Sequence, residues 1–87
     1  MSYRDYIRKI EKLCGEKKGF MVLFKDEYSE EAVSKLYKVF NISRVRPLVR
    51  VRKDSLEINI FKTGKIIIKG LEDEDELWST LDELYSA

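Results

Sequence analysis

The chain has no histidine, a single cysteine, a single proline and only four glycines among 87 residues, and no lysine or arginine follows Lys69. Each shortage excludes something. Without histidine, the side chain that most readily exchanges a proton near neutral pH is missing, and so is the commonest metal ligand. Cys14 by itself makes no internal disulfide, which agrees with a reducing compartment. The apolar runs reach four or five residues, far below the roughly 20 that a membrane span requires. No apolar segment follows the opening MSYRDY, so the sequence predicts a cytoplasmic protein with no membrane segment. The scarcity of Gly and Pro leaves no flexible linker, and residues 1–87 read as a single folded domain. A domain of this size buries roughly 60 to 65% of its unfolded surface, too little for a roomy pocket.

Catalysis finds no foothold in this inventory. There is no Gly-rich phosphate loop, no cluster with metal-ligand spacing, and no acid pair set in a recognisable pocket. The acidic run Glu72 to Glu76 lacks the alternating ligands and glycine of a calcium loop and reads as a charged helix start. Ser29 reads as a helix cap rather than a nucleophile. The expectation is a non-enzymatic binding module with no cofactor and no metal. Abundant Lys, Glu and Ile without His would suit a thermophile.

What is present is an uneven distribution of charge. The 17 basic residues all lie within residues 1–70, against 9 acids there, whereas residues 71–87 hold seven acids and no base. The interval Arg44 to Lys69 carries eight basic residues and two acidic ones. A net charge of +1 therefore hides a concentrated cationic segment, the footprint of an anionic partner.

Periodicity assigns the elements. Tyr3, Tyr6, Ile7, Ile10, Leu13 and Cys14 recur at three- and four-residue spacing, which predicts an N-terminal helix over residues 1–16 with Cys14 on its apolar stripe as a core residue. The run Gly19-Phe20-Met21-Val22-Leu23-Phe24 reads as a strand. Ser29, followed by Glu30 and Glu31, opens a helix with Ala32, Val33, Leu36, Tyr37 and Phe40 on its inner side, and Asn41 is its stop. From Ser43 the period becomes two: Val45, Pro47, Val49 and Val51 alternate with Arg44, Arg46, Leu48, Arg50 and Arg52, a strand that Pro47 places at an edge or bulge. A turn at Lys53-Asp54-Ser55 leads into a hairpin, and Glu72 to Glu76 opens a last helix carrying Leu77, Trp78, Leu81, Leu84 and Tyr85 on one side.

The hairpin INIFKTGKIIIKG has two registers to choose from. A two-residue loop at Thr63-Gly64 separates Ile66 and Ile68 from Ile58 and Ile60. A three-residue loop, Thr63-Gly64-Lys65, pairs Phe61 with Ile67 and gathers the other four isoleucines on one face. At about 1.5 to 3 kcal/mol per buried aliphatic side chain, the second is preferred. The fold expected is α+β, an antiparallel sheet with helices packed on one face and the other face open. That open face collects Arg44, Arg46, Arg50, Arg52 and Lys69 around Leu48, Asn59, Phe61 and Ile67. Cations for phosphates and an aromatic for stacking or wedging are what a sheet needs to lie against nucleic acid.

FKTGKIIIKG, with Arg50-Val51-Arg52 nine residues before Phe61, resembles one repeat of the TATA-box-binding protein family, in which an R-x-R strand leads to a hairpin of the form F-x-S-G-K. The resemblance extends over residues 19–87 in element order. It implies a curved sheet seated in the minor groove of duplex DNA. On that reading Phe61 matches a wedging phenylalanine, Asn59 and Ile67 match groove-facing positions, and Arg50 and Lys65 match basic positions near phosphates. The family carries two tandem repeats where this chain has one, so the resemblance implies a homodimer, with the N-terminal helix as an addition. Arg44 stands where the other wedging phenylalanine would be, and Glu72 where a basic residue is expected just after the hairpin. The alternative partner is another protein docked on the same face, as in the similar strand-helix arrangement of the small dimerising subunit of the KEOPS tRNA-modification complex.

Overall fold

The computed structural model describes residues 3–15, 18–43 and 46–86. A 3-10 turn at Tyr3–Tyr6 runs into β1 (Ile7–Leu13), which pairs with β2 (Gly19–Phe24). A short 3-10 turn at Asp26–Tyr28 precedes α1 (Ser29–Val39), and three strands follow, β3 (Leu48–Lys53), β4 (Leu56–Phe61) and β5 (Lys65–Lys69), before α2 (Glu74–Tyr85) closes the chain. The five strands form one antiparallel sheet in the order β1-β2-β5-β4-β3.

The expected N-terminal helix is instead a turn and an edge strand. Ile7 pairs with Phe24 and Lys9 with Leu23, so a bulge at Arg8 puts one extra residue between them. Strict alternation would send Ile7 and Ile10 to opposite faces. The bulge restores both to the core side, where they pack against the buried cluster. An apolar spacing of three thus has two physical solutions, one turn of helix or a strand with an inserted residue. The second prevails here because β2 offers a pairing edge. Leu13 consequently falls on the other face opposite Gly19, and Cys14 lies exposed beyond the strand rather than in the core.

The turns explain how the strands are brought into line. α1 ends with Asn41 at φ 57°, the left-handed conformation that Asn tolerates. The Ile42 N–H donates to the Tyr37 carbonyl at 2.8 Å and the Asn41 N–H to the Lys38 carbonyl at 3.2 Å, the paired bonds of a Schellman ending. At the other end of α1, Ser29 is the first helical residue and its hydroxyl donates to the Asp26 carbonyl, so it does not serve as the cap. In α2 the Asp73 carboxylate does cap, accepting from the Glu76 N–H at 2.9 Å.

The hairpin loop is Lys62-Thr63-Gly64, one residue earlier than expected: Phe61 pairs with Lys65, Ile60 with Ile66, and Asn59 with Ile67. The shift moves the partner of Phe61 by two places and preserves parity, so Ile58, Ile60, Ile66 and Ile68 still share a face, each with no exposed surface. Gly64 sets the loop: its φ is +103°, its carbonyl accepts from the Phe24 N–H at 2.9 Å, and a Cβ there would stand 2.4 Å from the Ser29 Cβ. The hairpin tip is therefore held against the start of α1.

Both helices cover the isoleucine face. Ala32, Val33, Leu36 and Tyr37 of α1 and Leu77, Leu81 and Leu84 of α2 join Phe20, Val22, Phe24 and the four isoleucines in one core. The N-terminal turn is clipped to α2: the Tyr3 ring stacks on Tyr85 with centroids 5.0 Å apart, the Tyr3 hydroxyl donates to Asp82, and the Arg4 guanidinium lies 4.5 Å over the Trp78 ring. No helix of the described residues is long and apolar enough to cross a membrane.

Candidate nucleic-acid interface

The face of the sheet turned away from the helices is ordered by the strand register into three transverse rows. One runs Lys9, Leu23, Lys65, Phe61, Leu48; the next Glu11, Met21, Ile67, Asn59, Arg50; the third Leu13, Gly19, Lys69, Glu57, Arg52. Six of these fifteen positions are apolar, five are cationic and two are acidic, so the face carries a surplus of three positive charges. Arg50, Arg52 and Leu48 are exposed, while Met21, Leu23, Phe61, Lys65, Ile67 and Lys69 are half-buried. At one corner β2 and β5 approach closely, and a Cβ on Gly19 would come within 2.3 Å of the Ile68 carbonyl oxygen.

The predicted site residues divide according to what they touch. Arg50 donates through Nε to the Asn59 Oδ1 at 2.9 Å, and Asn59 is itself only 5% exposed. Asn59 therefore acts first as a brace that fixes the guanidinium, leaving its own amide N–H groups for anything lying on the face. The Lys65 ammonium sits 4.4 Å over the Phe61 ring, so the aromatic is partly covered by a cation from its cross-strand neighbour. Lys69 is 3.8 Å from Glu57, and Lys9 is 2.7 Å from Glu11. Ile67 is central, flanked by Asn59 and Met21.

Arg52 faces Glu57 across the strands without a salt bridge between them. Arg46 departs from the expected alternation: β3 begins at Leu48, and Arg46 lies in the approach to it, where its carbonyl accepts from the Tyr37 hydroxyl at 3.3 Å. Its side chain is exposed and, with Leu48 and Arg50, lines a shallow depression beside the edge strand. Arg44 lies outside the described residues. Arg46, Arg50, Arg52 and Lys65 make no salt bridge among the described residues.

Leu13, Met21, Leu23, Lys9 and Glu11 belong to the face and escaped the sequence reading. The helical reading of residues 1–16 removed three of them from the sheet, and the run from Gly19 to Phe24, apolar on both faces, gave no sign of which side was open. A signal was present in the alternation of Lys9, Glu11 and Leu13, concealed by the bulge before it.

Titration elsewhere in the molecule concerns stability. Burial raises the Tyr85 phenol well above its ordinary value, with Tyr6 and Tyr3 adding to the effect, while its hydroxyl donates to the Ala32 carbonyl at 3.1 Å. Among the described residues no group of three or more His, Cys, Asp or Glu is placed to hold a metal ion. No protein-family model, curated protein or solved structure matches the chain.

Proposed function

We propose that the chain is a non-enzymatic module that binds nucleic acid, with duplex DNA favoured, through the open sheet face, and that it does so as a homodimer. The observation that carries this reading is the combination on one uncovered face of five apolar side chains (Leu23, Phe61, Leu48, Met21, Ile67) with three cations that lack a salt-bridge partner among the described residues, Arg50, Arg52 and Lys65, and a fourth such cation, Arg46, beside the edge of that face. Phosphates supply the missing charge, and bases or sugars cover the apolar middle. Lys65 has a specific part in this. Leaving the Phe61 ring for a phosphate, it would uncover the aromatic for insertion or stacking, so that one contact prepares the other.

The order from β2 to α2, strand, helix, three strands and helix, is that expected from the resemblance to a TATA-box-binding repeat, and it supports the DNA reading. The second reading, a protein partner on the same face, is favoured by the number of apolar positions there. Fluorescence anisotropy with labelled duplex DNA across a salt series separates the two. Four neutralised phosphates per protomer give a slope of log affinity on log salt of about −4, and two protomers about −7. Phe61→Ala should weaken binding without changing the slope, whereas Arg52→Glu should reduce both. Absence of DNA and RNA binding at low salt would remove the reading in favour of a protein partner.

A further inference from the structure

β1 and β3 are the two edges of the sheet, and each presents unpaired backbone N–H and C=O groups to whatever strand can reach them. For self-pairing the edges are not equivalent. Two antiparallel strands related by a two-fold axis keep each face of the sheet on its own side, so a residue can oppose only one from the same face. On β3 the open-face residues are Leu48, Arg50 and Arg52. Centring the axis on Arg50 sets that arginine against itself, centring it on Val51 sets Arg50 against Arg52 twice, and centring it on Val49 avoids like pairs but opposes Arg50 only to Leu48, with no charge attraction. Like charges directly opposite oppose pairing.

β1 behaves differently. Its regular part, Lys9 to Leu13, follows the bulge. Centring on Lys9, Glu11 or Lys12 opposes a charge to itself, but centring on Ile10 opposes Lys9 to Glu11 of the second copy, and Glu11 to Lys9 of the second copy, on the open face, in a paired run limited to residues 9–11 because the bulge at Arg8 interrupts the strand before Arg8 can oppose Lys12. On the other face it brings the two Ile10 side chains together. Lys9 and Glu11 already stand 2.7 Å apart within one chain, so pairing about Ile10 closes a square of alternating charges.

We propose that β1 is a self-pairing edge, joining two copies of this chain antiparallel about Ile10 into one ten-stranded sheet whose two open faces lie on the same side. The inference deepens the binding reading by supplying its dimer, and it rests for that part on that reading; the charge pattern of β1 argues for it independently. A contact between β1 and β3 would be head-to-tail and would give a ring or a filament rather than a two-fold dimer. A paired run this short buries less than a standard interface, so the dimer is weak and concentration-dependent.

Sedimentation equilibrium in the absence of nucleic acid, at low salt and over a wide concentration range, tests this. The wild type should show a monomer–dimer equilibrium. Lys9→Glu and Glu11→Lys should each weaken it about tenfold or more, because two attractive cross-strand pairs become repulsive. The double exchange, Lys9→Glu with Glu11→Lys, should restore it, with circular dichroism confirming that all variants are folded. A wild-type monomer at every concentration, open-ended polymer, single variants that dimerise normally, or a double variant no better than the singles would each overturn the proposal. DNA titration of the same proteins separates its fate from that of the binding reading: a dimer that ignores DNA retains the paired edge and loses the nucleic-acid reading, and a monomer that binds DNA does the reverse.

Discussion

Ile66, Ile67 and Ile68 are three identical side chains in consecutive positions of β5, and their burial differs solely because a strand alternates its faces. Ile66 and Ile68 have no exposed surface and sit beneath the helices, whereas Ile67 is half-buried on the open face. Truncation to Ala lowers strand propensity similarly at all three, so the difference between them reports the core. For Ile66→Ala and Ile68→Ala the loss of transfer energy and the cavity left behind come to about 3 kcal/mol each. Ile67→Ala, with solvent to fill the gap, should cost about 1 kcal/mol. At about 4–8 °C per kcal/mol for a domain of this size, the two core variants should melt roughly 12–24 °C below wild type and Ile67→Ala roughly 4–8 °C below. A domain of this length has on the order of 4 to 13 kcal/mol in total, so the core variants spend much of it. Urea unfolding, analysed with a common m-value, measures all three. Equal losses at the three positions, or the largest loss at Ile67, would refute the assignment of the open face and with it the proposed interface.

Two further outcomes follow from particular contacts. Gly64→Ala should destabilise by more than about 1 kcal/mol, since φ +103° is unfavourable for Ala and the new Cβ meets the Ser29 Cβ. Combining it with Ser29→Gly should recover the steric part and leave the conformational part, which a double-mutant cycle in urea measures. Because the Tyr85 phenol is raised above 10.0 in the folded chain, the stability it contributes is complete below pH 10 and falls as the pH rises through the folded value. Unfolding at pH 8 and pH 11 should therefore show an alkaline loss that Tyr85→Phe diminishes, while the variant forfeits about 1 kcal/mol at neutral pH with the bond to the Ala32 carbonyl.

Much of the architecture was legible because its signals were local. The strand from Gly19 to Phe24, the helix closed by Asn41, the alternating basic strand and the last helix all carry their period or cap within a few residues. The parity of the isoleucine hairpin was legible as well, since burying four isoleucines together outweighs any register that divides them. The exact loop was not, because registers two apart leave the faces unchanged, and the choice fell to Gly64 meeting Ser29 across the fold. The first sixteen residues misled for a related reason. Apolar spacing of three reads as helix in isolation, and the bulge that converts it to strand exists because β2 is there to pair with.

By itself, then, the chain determined its periodicities beyond residue 18, the stop of α1 at Asn41 and the concentration of positive charge before Lys69, all properties of neighbours in sequence. Tertiary structure alone decided that residues 7–13 are an edge strand, that Asn59 is buried as a brace for Arg50, and that Lys65 lies over Phe61. These depend on which strands lie side by side, and cross-strand neighbours are set by sheet order and register, which residues distant along the chain settle together.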